Sequence, residues 1–328
     1  MNIWRAAGLA ALAAVCLSGP ICGSGVAAAQ DYPNRAIRLI AGTPPGGNVD
    51  SVARVIAQEL TKGLGQPVVV ENKVGLVGSL AAELVARSAA DGYTLMLAFG
   101  AHPVNAAIYK QFAYKPVDDF EWISMITAYP FAVSVRRDSA LRSLRDLLDA
   151  AKAKPGTVTN GSSGQGSVQH MTAELLGNQA DVKFLQVPYK GEAPALTAAL
   201  AGEVDFLVTT STLVVPHIGS GTMRTLAVTS RSRWKDLPDV PTVEEAGLAG
   251  FEVISWSGLA APRGTPRAIV ERLNAEVLRA VAVPEVKARL ESFGGDVHGS
   301  TPGEMRDQVA LEVARWTKLV RDAKIEQE

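Results

Sequence analysis

Apolar positions follow two periods along most of the chain, one typical of strands and the other of helices. After the apolar run 37–41, apolar residues recur about every 3.6 positions, which predicts an amphipathic helix over 48–62. Gly63 and Gly65 then end the helical pattern. Short strands that alternate with helices predict parallel βαβ units, and therefore an α/β fold.

The same alternation of strands and helices continues through two sets of elements. A loop-rich passage at 231–251 follows the second set and precedes the last predicted strand. The predicted strands are 37–41, 68–71, 94–99, 131–135, 158–160, 184–188, 204–208, 225–229 and 252–259. The predicted helices are 48–62, 79–88, 144–153, 167–176, 193–201, 266–281, 284–293 and 302–324.

The last three helices follow a complete second set and can therefore pack on either domain. We expect the chain to cross from a first lobe to a second near Ser134 and to return near Ile254, which gives a hinge and a cleft. On that prediction, residues 30–133 plus 255–328 form lobe 1 and residues 134–254 form lobe 2. Two domains in simple tandem remain an alternative at this point.

The N-terminus has the order of a secretory signal peptide. Arg5 precedes the apolar run 6–17, and small residues end at Ala29. The apolar run is shorter than the roughly 20 residues of a spanning helix, so we predict cleavage near Ala29 rather than a retained anchor. The chain's two cysteines, Cys16 and Cys22, both lie in this segment. The exported protein would then have no disulfide and would depend on its core.

Composition excludes several classes of partner. The chain has 32 Lys and Arg against 33 Asp and Glu, with no basic stripe, so nucleic acid is not an expected partner. No spacing of His, Cys, Asp or Glu indicates a metal site. The sequence contains no P-loop, and the segment 164–169 ends in Gln169 where a dinucleotide-binding turn has a small residue. We expect no cofactor.

The serine-rich turn GSSGQG at 161–166 is close to G-x-S-x-G, but Gln165 replaces its final glycine. The acid and histidine of an α/β-hydrolase cannot be assigned downstream in the usual order. The four histidines are far apart in the sequence. An exported hydrolase that uses Ser162 or Ser163 therefore remains a weak alternative, and we predict that the protein is not an enzyme.

Three turns rich in small residues lead into predicted helices, at 44–48, 75–79 and 161–167. A helix N-terminus has unpaired N–H donors and the positive end of the helix dipole, and glycine allows a ligand to approach the backbone closely. Such turns bind carboxylates or phosphates without a lysine. A further turn, VPYKG, offers Tyr189 as a ring wall or hydroxyl, whereas Lys190 is expected to be a solvated surface residue.

Several stretches in this order resemble the substrate-binding proteins of tripartite tricarboxylate transporters, also called the Bug family. They include the opening segment 43–79, DGYTL, YKPVDDF, GSSGQGSVQHMTAEL, VPYKG and LPDVPTVEEAGLAGFEVISWSGLAAPRGTP, and they cover essentially the whole chain after the signal peptide. The resemblance implies a two-lobed periplasmic-binding-protein fold. Each lobe would be a mostly parallel sheet flanked by helices, with the ligand cleft between the lobes.

The resemblance also implies a small carboxylate ligand, bound partly through water by the first turn and by the serine turn of the other lobe. The implied contacts, with their neighbours in the same turns, are Thr43, Pro44, Gly46, Gly47, Asn48, Gly75, Leu76, Val77, Ser162, Ser163, Gly164, Gly166, Ser167, Tyr189 and Thr210. His102 is added because the segment after Phe99 usually faces the cleft in this family. We expect a periplasmic monomer that delivers a mono- or dicarboxylate to the membrane subunits of a transporter.

The chain departs from the family pattern at two places. Leu76 and Val77 are bulkier than usual in the second turn, and Thr209 and Thr210 stand where the family often has an acidic or amide residue. An ammonium group needs an acceptor, so the second change counts against an amino-acid ligand. We therefore expect an acid with an apolar or neutral body. A receptor that feeds a membrane sensor kinase remains an alternative to transport.

Overall fold

The computed structural model describes residues 32–110, 113–293 and 295–327, so the expected signal peptide lies outside the described residues. Ten strands are present in this part of the chain. They are β1 Ile37–Ala41, β2 Val68–Asn72, β3 Thr94–Phe99, β4 Phe120–Arg136, β5 Thr159–Ser162, β6 Leu185–Pro188, β7 Phe206–Thr210, β8 Met223–Val228, β9 Ile254–Pro262 and β10 Asp296–Val297.

Ten α-helices pack around these strands within the described residues. They are α1 Asn48–Leu64, α2 Ser79–Ala86, α3 Ala101–Ile108, α4 Leu144–Ala153, α5 Val168–Ala180, α6 Glu192–Ala201, α7 Ser211–Gly219, α8 Arg267–Ala282, α9 Pro284–Glu291 and α10 Pro302–Asp322. A short 3₁₀ turn, Leu76–Gly78, precedes α2. No helix in the described ranges combines the length and the apolar character that crossing a membrane requires.

Strand β4 is shared by two half-sheets. Its first part, up to Pro130, pairs antiparallel with β9, and its second part, from Phe131, pairs antiparallel with β7 and β8. The strand order is β2-β1-β3-β9-β4-β7-β5-β6, with β8 and β10 as further partners of β4. The β1–β2, β1–β3, β5–β6 and β5–β7 pairs are parallel, which is the α/β arrangement that the alternating pattern predicts.

The pairing register shows where the strands of both half-sheets end relative to the point at which β4 changes partner. Thr210, the last residue of β7, lies opposite Phe131, and Phe99, the last residue of β3, lies opposite Ser257 near the start of β9. The carboxyl ends of the parallel strands in both halves therefore face the same region. Loops that follow such ends are where ligands bind in open α/β sheets.

The change of partner on β4 falls between Pro130 and Phe131, and the chain returns to the first half-sheet at Ile254. The hydroxyl of Thr229 holds the two crossing segments together, because it donates to the carbonyl of Val253 at 2.5 Å and accepts from the N–H of Phe131 at 2.8 Å. The chain therefore crosses between the half-sheets twice. The lobe boundaries 133/134 and 254/255 themselves stay a prediction.

Helix α10 packs on both halves. Met305 and Val309 lie in the core of the first half, whereas Trp316 and Leu319 lie in the core of the second. Helix α3 follows a strand of the first half, yet its buried face also joins the second core. These two helices pack against each other and connect the cores behind the crossing strands.

The sequence pattern missed several elements, among them the first half of β4, α3 and α7. Each of these three contains a proline that weakens the local signal, at Pro130, Pro103 and Pro216. Pro103 is tolerated because it lies in the first turn of α3, where the backbone nitrogen has no intrahelical acceptor to lose. Pro130 lies where β4 changes partner, so tertiary pairing decides that strand's length.

A buried carboxyl lies in the middle of the connecting helix. Glu312 is 3% exposed, and its Oε1 accepts hydrogen bonds from Trp256 Nε1 at 3.0 Å and from Gln308 Nε2 at 2.7 Å. Burial raises the pKa of Glu312 from 4.5 to about 7, although both hydrogen bonds and the nearby Arg315 act in the opposite direction. Trp256 is on β9, two residues beyond the return crossing.

Replacing this carboxyl with an amide is expected to remove a pH dependence of stability. Because the folded pKa exceeds the unfolded value, the folded state favours the protonated group, and stability falls as pH rises from 4.5 to 7. Relative to Glu312→Gln, the wild type should lose on the order of 3 kcal/mol across that interval. Urea unfolding of both proteins at pH 4.5, 6 and 8 measures this difference. A constant difference across the three pH values would contradict it.

Candidate ligand-binding cleft

The first turn connects β1 to α1 and leaves the start of that helix open. Gly47 is the N-cap of α1 and provides no side-chain hydrogen bond, so the first-turn N–H groups have no capping side chain. Gly46 has a φ of 85°, a left-handed conformation that favours glycine. Gly47 has a φ of −76°, and a Cβ there would be 3.7 Å from the carbonyl oxygen of Pro44. Neither backbone strain nor packing therefore explains the glycine at position 47.

Asp50 fixes the shape of this turn. Its buried carboxylate accepts hydrogen bonds from the N–H of Gly46 at 2.9 Å, from Asn72 Nδ2 at 2.8 Å and from Arg54 Nε at 2.9 Å. The same Asn72 amide donates to the carbonyl of Thr43 at 2.9 Å. The Arg54 guanidinium, with these further donors, lowers the pKa of Asp50 to about 2. These hydrogen bonds preorganise the turn around a carboxylate that is charged at neutral pH.

The second turn carries two exposed apolar side chains on a strained backbone. Leu76 and Val77 have φ angles of 45° and 49°, and they are 56% and 47% exposed. A β-branched residue at such an angle is unusual, and strain of this kind is found mainly at functional sites. The buried amide of Asn105 on α3 holds the turn, because it donates to the carbonyl of Val77 and to the hydroxyl of Ser79, both at 3.0 Å.

The first and second turns touch through two glycines. A Cβ on Gly42 would lie 2.7 Å from the Cα of Gly78, and a Cβ on Gly78 would lie 2.9 Å from the ring of Phe99. A side chain at Gly42 therefore requires a backbone shift, and a side chain at Gly78 requires the Phe99 ring to move. Gly75, with a φ of 145°, starts the second turn. The contact between the glycines packs the second turn against the end of β1, where the first turn begins.

The serine turn of the second half joins β5 to α5. Gly164 and Gly166 have φ angles of 136° and 69°, which are positive values that favour glycine. The backbone angles therefore explain both glycines. Ser167 is the N-cap of α5, and its hydroxyl accepts from the N–H of His170. Ser162 and Ser163 lie at the strand end, where the hydroxyl of Ser163 donates to Gln169 Oε1 at 2.9 Å. This turn offers backbone donors, while its serine hydroxyls already have partners.

A carboxylate that the sequence pattern did not single out lies beside this turn. Glu192 begins α6, and its Oε2 accepts from the Thr210 hydroxyl at 2.7 Å and from the Thr209 hydroxyl at 3.2 Å. Its Oε1 accepts from the amide of Gln169. Burial raises the pKa of Glu192 despite these hydrogen bonds. The premise that this end of the cleft lacks an acidic group is therefore wrong, because the acid comes from another segment of the chain.

Three of the predicted contact residues have side chains that bond to or pack against other parts of the protein. The amide of Asn48 donates to the carbonyl of Phe293 at 2.7 Å, so only its backbone N–H belongs to the open helix start. The hydroxyl of Tyr189 is bonded to Glu203, and its ring packs in the second core. Tyr189 contributes backbone instead, since its N–H donates to the carbonyl of Ser162 at 2.9 Å.

His102 is the third of these. It is 5% exposed and lies among the rings of Tyr114, Phe120 and Trp122, and its Nε2 is 2.7 Å from the carbonyl oxygen of Pro116. Burial lowers the pKa of His102 to about 4, so the ring is neutral at neutral pH. We interpret His102 as a packing residue of the first half and exclude it from the ligand contacts that we propose.

The remaining candidates lie in the turns at the carboxyl ends of β1, β5 and β7 or in the second turn, before α2. Thr43 and Pro44 belong to the first turn, and the Oγ1 of Thr43 is buried without a hydrogen-bond partner in the described structure. Among the described residues, no group of three or more His, Cys, Asp or Glu side chains could hold a metal ion. The cleft thus combines open N–H donors, small residues and an apolar wall, which suits an organic anion.

A groove of about 800 Å³ lies away from these turns, at the start of β4 and the N-termini of α8 and α10. Its charged side chains pair with one another, as in Arg306–Asp118 at 3.2 Å and Arg267–Glu271 at 2.6 Å. It is about nine residues along β4 from the crossing, which corresponds to roughly 30 Å of strand. We therefore do not place the ligand in this groove.

A family model described as the tripartite tricarboxylate transporter family receptor matches residues 52–325. The chain belongs to this family. Its members are solute-binding receptors, and their fold is the two-lobed fold of periplasmic binding proteins. The fold class predicted from the sequence is thereby confirmed, as is the family resemblance.

Individual relatives agree with this assignment. The chain is 35% identical to BugT of Bordetella pertussis over 307 residues, which is 92% of this chain and 94% of BugT. The structure of Rpa4515 of R. palustris with adipate is 35% identical, has a TM-score of 0.78 and covers 91% of this chain and 100% of its own. MatC of Rhodopseudomonas palustris with bound malate is 35% identical, with a TM-score of 0.75 and coverages of 88% and 100%.

Sequence reasoning did not identify the residues that hold the turns in place. Asp50 has the local signature of a favourable charge at a helix start, and Asn72, Asn105 and Glu192 were not singled out. A signal was present for two of them, because Asn72 directly follows a predicted strand and Glu192 directly follows the VPYKG turn. Their partners are distant in sequence or in another element, so spacing alone does not reveal their roles.

The contact between the two glycines predicts a difference between neighbouring substitutions. Gly42→Ala should destabilise the protein by about 1–3 kcal/mol, because its Cβ meets the backbone of Gly78. Gly47→Ala has room and an ordinary φ angle, so it should change stability by less than about 0.5 kcal/mol. Chemical denaturation of the two variants measures the difference. Equal stabilities would show that the first and second turns do not pack as described.

Removing the charge at Asp50 is expected to loosen the first turn in a pH-dependent way. At pH 7, Asp50→Asn should cost about 1–3 kcal/mol, because an amide cannot accept all the hydrogen bonds that the carboxylate accepts. The folded pKa of about 2 lies below the usual 3.8, so this stabilisation is present above about pH 4 and is lost as pH falls towards 2. Unfolding curves at pH 7, 4 and 2.5 should show the gap becoming smaller as pH falls, and a gap at pH 2.5 as large as at pH 7 would contradict this origin.

Proposed function

We propose that the protein is a periplasmic receptor that binds a small organic acid between its two lobes and delivers it to the membrane subunits of a tripartite tricarboxylate transporter. The proposal includes export through the N-terminal signal peptide, with cleavage near Ala29. Family membership supports the receptor role. The carboxylates in the structures of Rpa4515 and MatC support the ligand class.

One observation in this chain carries the proposal. Helix α1 begins at Gly47 without a side-chain cap, and its start lies at the strand ends that face the second half. A helix of 17 residues with an uncapped N-terminus favours an anion through its free N–H groups and its dipole. The glycine at position 47 is explained neither by its φ angle nor by packing, whereas close approach of a ligand explains it.

The second half supplies the opposing surface. The turn around Gly164 and Gly166 lies at the end of β5, beside the end of β7. A ligand held at both turns bridges the lobes, and it stabilises the closed state by its higher affinity for that state. Backbone donors and bridging water suffice to bind a carboxylate, so the site does not require a buried arginine.

The second turn favours a ligand with an apolar or neutral body. Leu76 and Val77 present exposed apolar side chains next to the first turn, and their strained backbone keeps them there. Apolar side chains in the wall of a binding cleft gain free energy when a ligand covers them. An acid with a short hydrocarbon or ring body satisfies both the open helix start and this wall.

The geometry does not favour a hydrolase. The hydroxyl of Ser163 donates to Gln169, and the Nδ1 of His170 accepts from the N–H of Gly166 at 3.1 Å. His170 is therefore engaged with the turn backbone and not with either serine. A sensor-kinase partner would use the same ligand-induced closure, so gene neighbours that encode membrane subunits or a kinase distinguish these two partners.

Blocking the helix start tests the proposal. Gly47→Val should reduce carboxylate affinity at least about tenfold, because the added methyl groups exclude the ligand from the N–H donors. Gly303→Val is the matched control, since Gly303 is also near a helix start and a Cβ there meets nothing within 4 Å. The measurement is thermal shift followed by calorimetry with mono-, di- and tricarboxylates, and with amino acids for comparison.

The wild type and the control should bind one of the acids without turning it over, while Gly47→Val should fold but fail to bind. Full affinity in Gly47→Val would show that the first turn is only structural. Preference for aspartate or glutamate over every plain carboxylate would overturn the inferred neutral body of the ligand. Turnover of the bound acid would contradict the receptor role.

A further inference from the structure

The carboxylate of Glu192 accepts the hydrogen bonds of the donors at the cleft edge of the second half. Oε2 of Glu192 accepts from the Thr210 hydroxyl at 2.7 Å, the Thr209 hydroxyl at 3.2 Å and the Thr210 N–H at 3.4 Å. Oε1 accepts from the Gln169 amide. Two hydroxyls, one backbone N–H and one side-chain amide therefore converge on a single carboxylate. These are donor groups that also suit a ligand carboxylate.

This carboxylate lies at the crossing point and not on the outer surface of the second half. Thr210 ends β7 opposite Phe131, where β4 changes partner. The same network reaches the serine turn, because Ser163 donates to Gln169. Glu192 is also close enough to the crossing strand to contribute to the raised pKa of Tyr129, which is about 12 and is due mainly to burial. Glu192 is thus positioned between the serine turn and the hinge.

The hydrogen bonds of Glu192 leave little capacity for a positively charged ligand group. A carboxylate has about four lone-pair sites; three protein donors already point at Oε2 and one at Oε1, which leaves about one site on Oε1. An ammonium group would find at most that one acceptor site. A second ligand carboxylate would meet a like charge and would find the same donors in use, which costs free energy in a partly buried site.

We propose that Glu192 is a specificity-determining residue that fills the anion position of the second lobe, so that the cleft selects monocarboxylates over dicarboxylates of equal length. This inference rests on the proposed function, because it assumes that one ligand carboxylate binds at the start of α1. It narrows the ligand from a mono- or dicarboxylate to an acid with one carboxylate and a neutral far end. Specificity here comes from excluding the competitor as well as from binding the ligand.

Matched pairs of acids test this selection. The probes are butanoate with succinate, hexanoate with adipate, and benzoate with terephthalate, and the dissociation constants are measured by calorimetry at pH 7.5. In at least one pair, the wild type should bind the monocarboxylate at least about tenfold more tightly than the dicarboxylate. Glu192→Ala should raise the affinity for that dicarboxylate about tenfold, while the monocarboxylate affinity changes less than about threefold.

Three further variants locate the effect. Glu285→Ala removes an exposed carboxylate from the first turn of α9. It matches Glu192→Ala in the loss of one charge at a helix start, and it should leave the preference for monocarboxylates unchanged. Glu192→Ala combined with Thr210→Val should lose the gained dicarboxylate affinity, because a donor is gone. If Glu192→Ala lacks a cooperative unfolding transition, Glu192→Gln replaces it. That variant removes the charge and should still raise dicarboxylate affinity about threefold.

The outcomes separate this inference from the proposed function. Binding of a monocarboxylate and its dicarboxylate with equal affinity in the wild type, or an unchanged ratio in the Glu192 variants, overturns the role of Glu192 alone. Absence of binding for all six acids in the wild type and in every variant overturns the carboxylate function itself. Tighter binding of 4-aminobutanoate than of butanoate, lost in Glu192→Ala, would make Glu192 an ammonium acceptor and would also overturn the proposal.

Discussion

The fold depends on one strand that belongs to two half-sheets. Strand β4 pairs with β9 up to Pro130 and with β7 and β8 from Phe131 onwards, and the Thr229 hydroxyl joins the two crossing segments. Because the strands on both sides are registered on β4, their carboxyl ends face the same region. The turns that follow those ends therefore lie towards that region from both halves, although the first turn and the serine turn are more than 100 residues apart in the chain.

Two carboxylates of the protein organise that region in opposite ways. Asp50 accepts hydrogen bonds on the inner side of the first turn and leaves the start of α1 open towards the cleft. Glu192 accepts the hydrogen bonds that point into the cleft edge of the second half. One lobe is thereby prepared to receive an anion, while the other already holds one. The proposed selection of a ligand with a single carboxylate rests on this asymmetry.

Behind the cleft, α3 and α10 connect the two cores. The buried Glu312 lies where α10 passes the return crossing. His102 belongs to this supporting structure. Its position in the chain indicated a cleft residue, but the aromatic rings around it and the carbonyl of Pro116 hold it in the interior.

The α/β class, the position of most helices and strands, the family and the glycine-rich turns follow from the amino-acid sequence, because they depend on local periodicity, on backbone angles and on motifs within short segments. The first half of β4 and the identity of the groups around the turns depend on long-range packing. Pro130 hides a strand that long-range pairing completes, and Asp50, Asn105 and Glu192 act on partners from other elements. A carboxylate at a helix start has the same local sequence signature whether it faces solvent or fills a binding cleft. Only the packing of distant strands brings Thr209, Thr210 and Gln169 to one side of Glu192 and makes the difference.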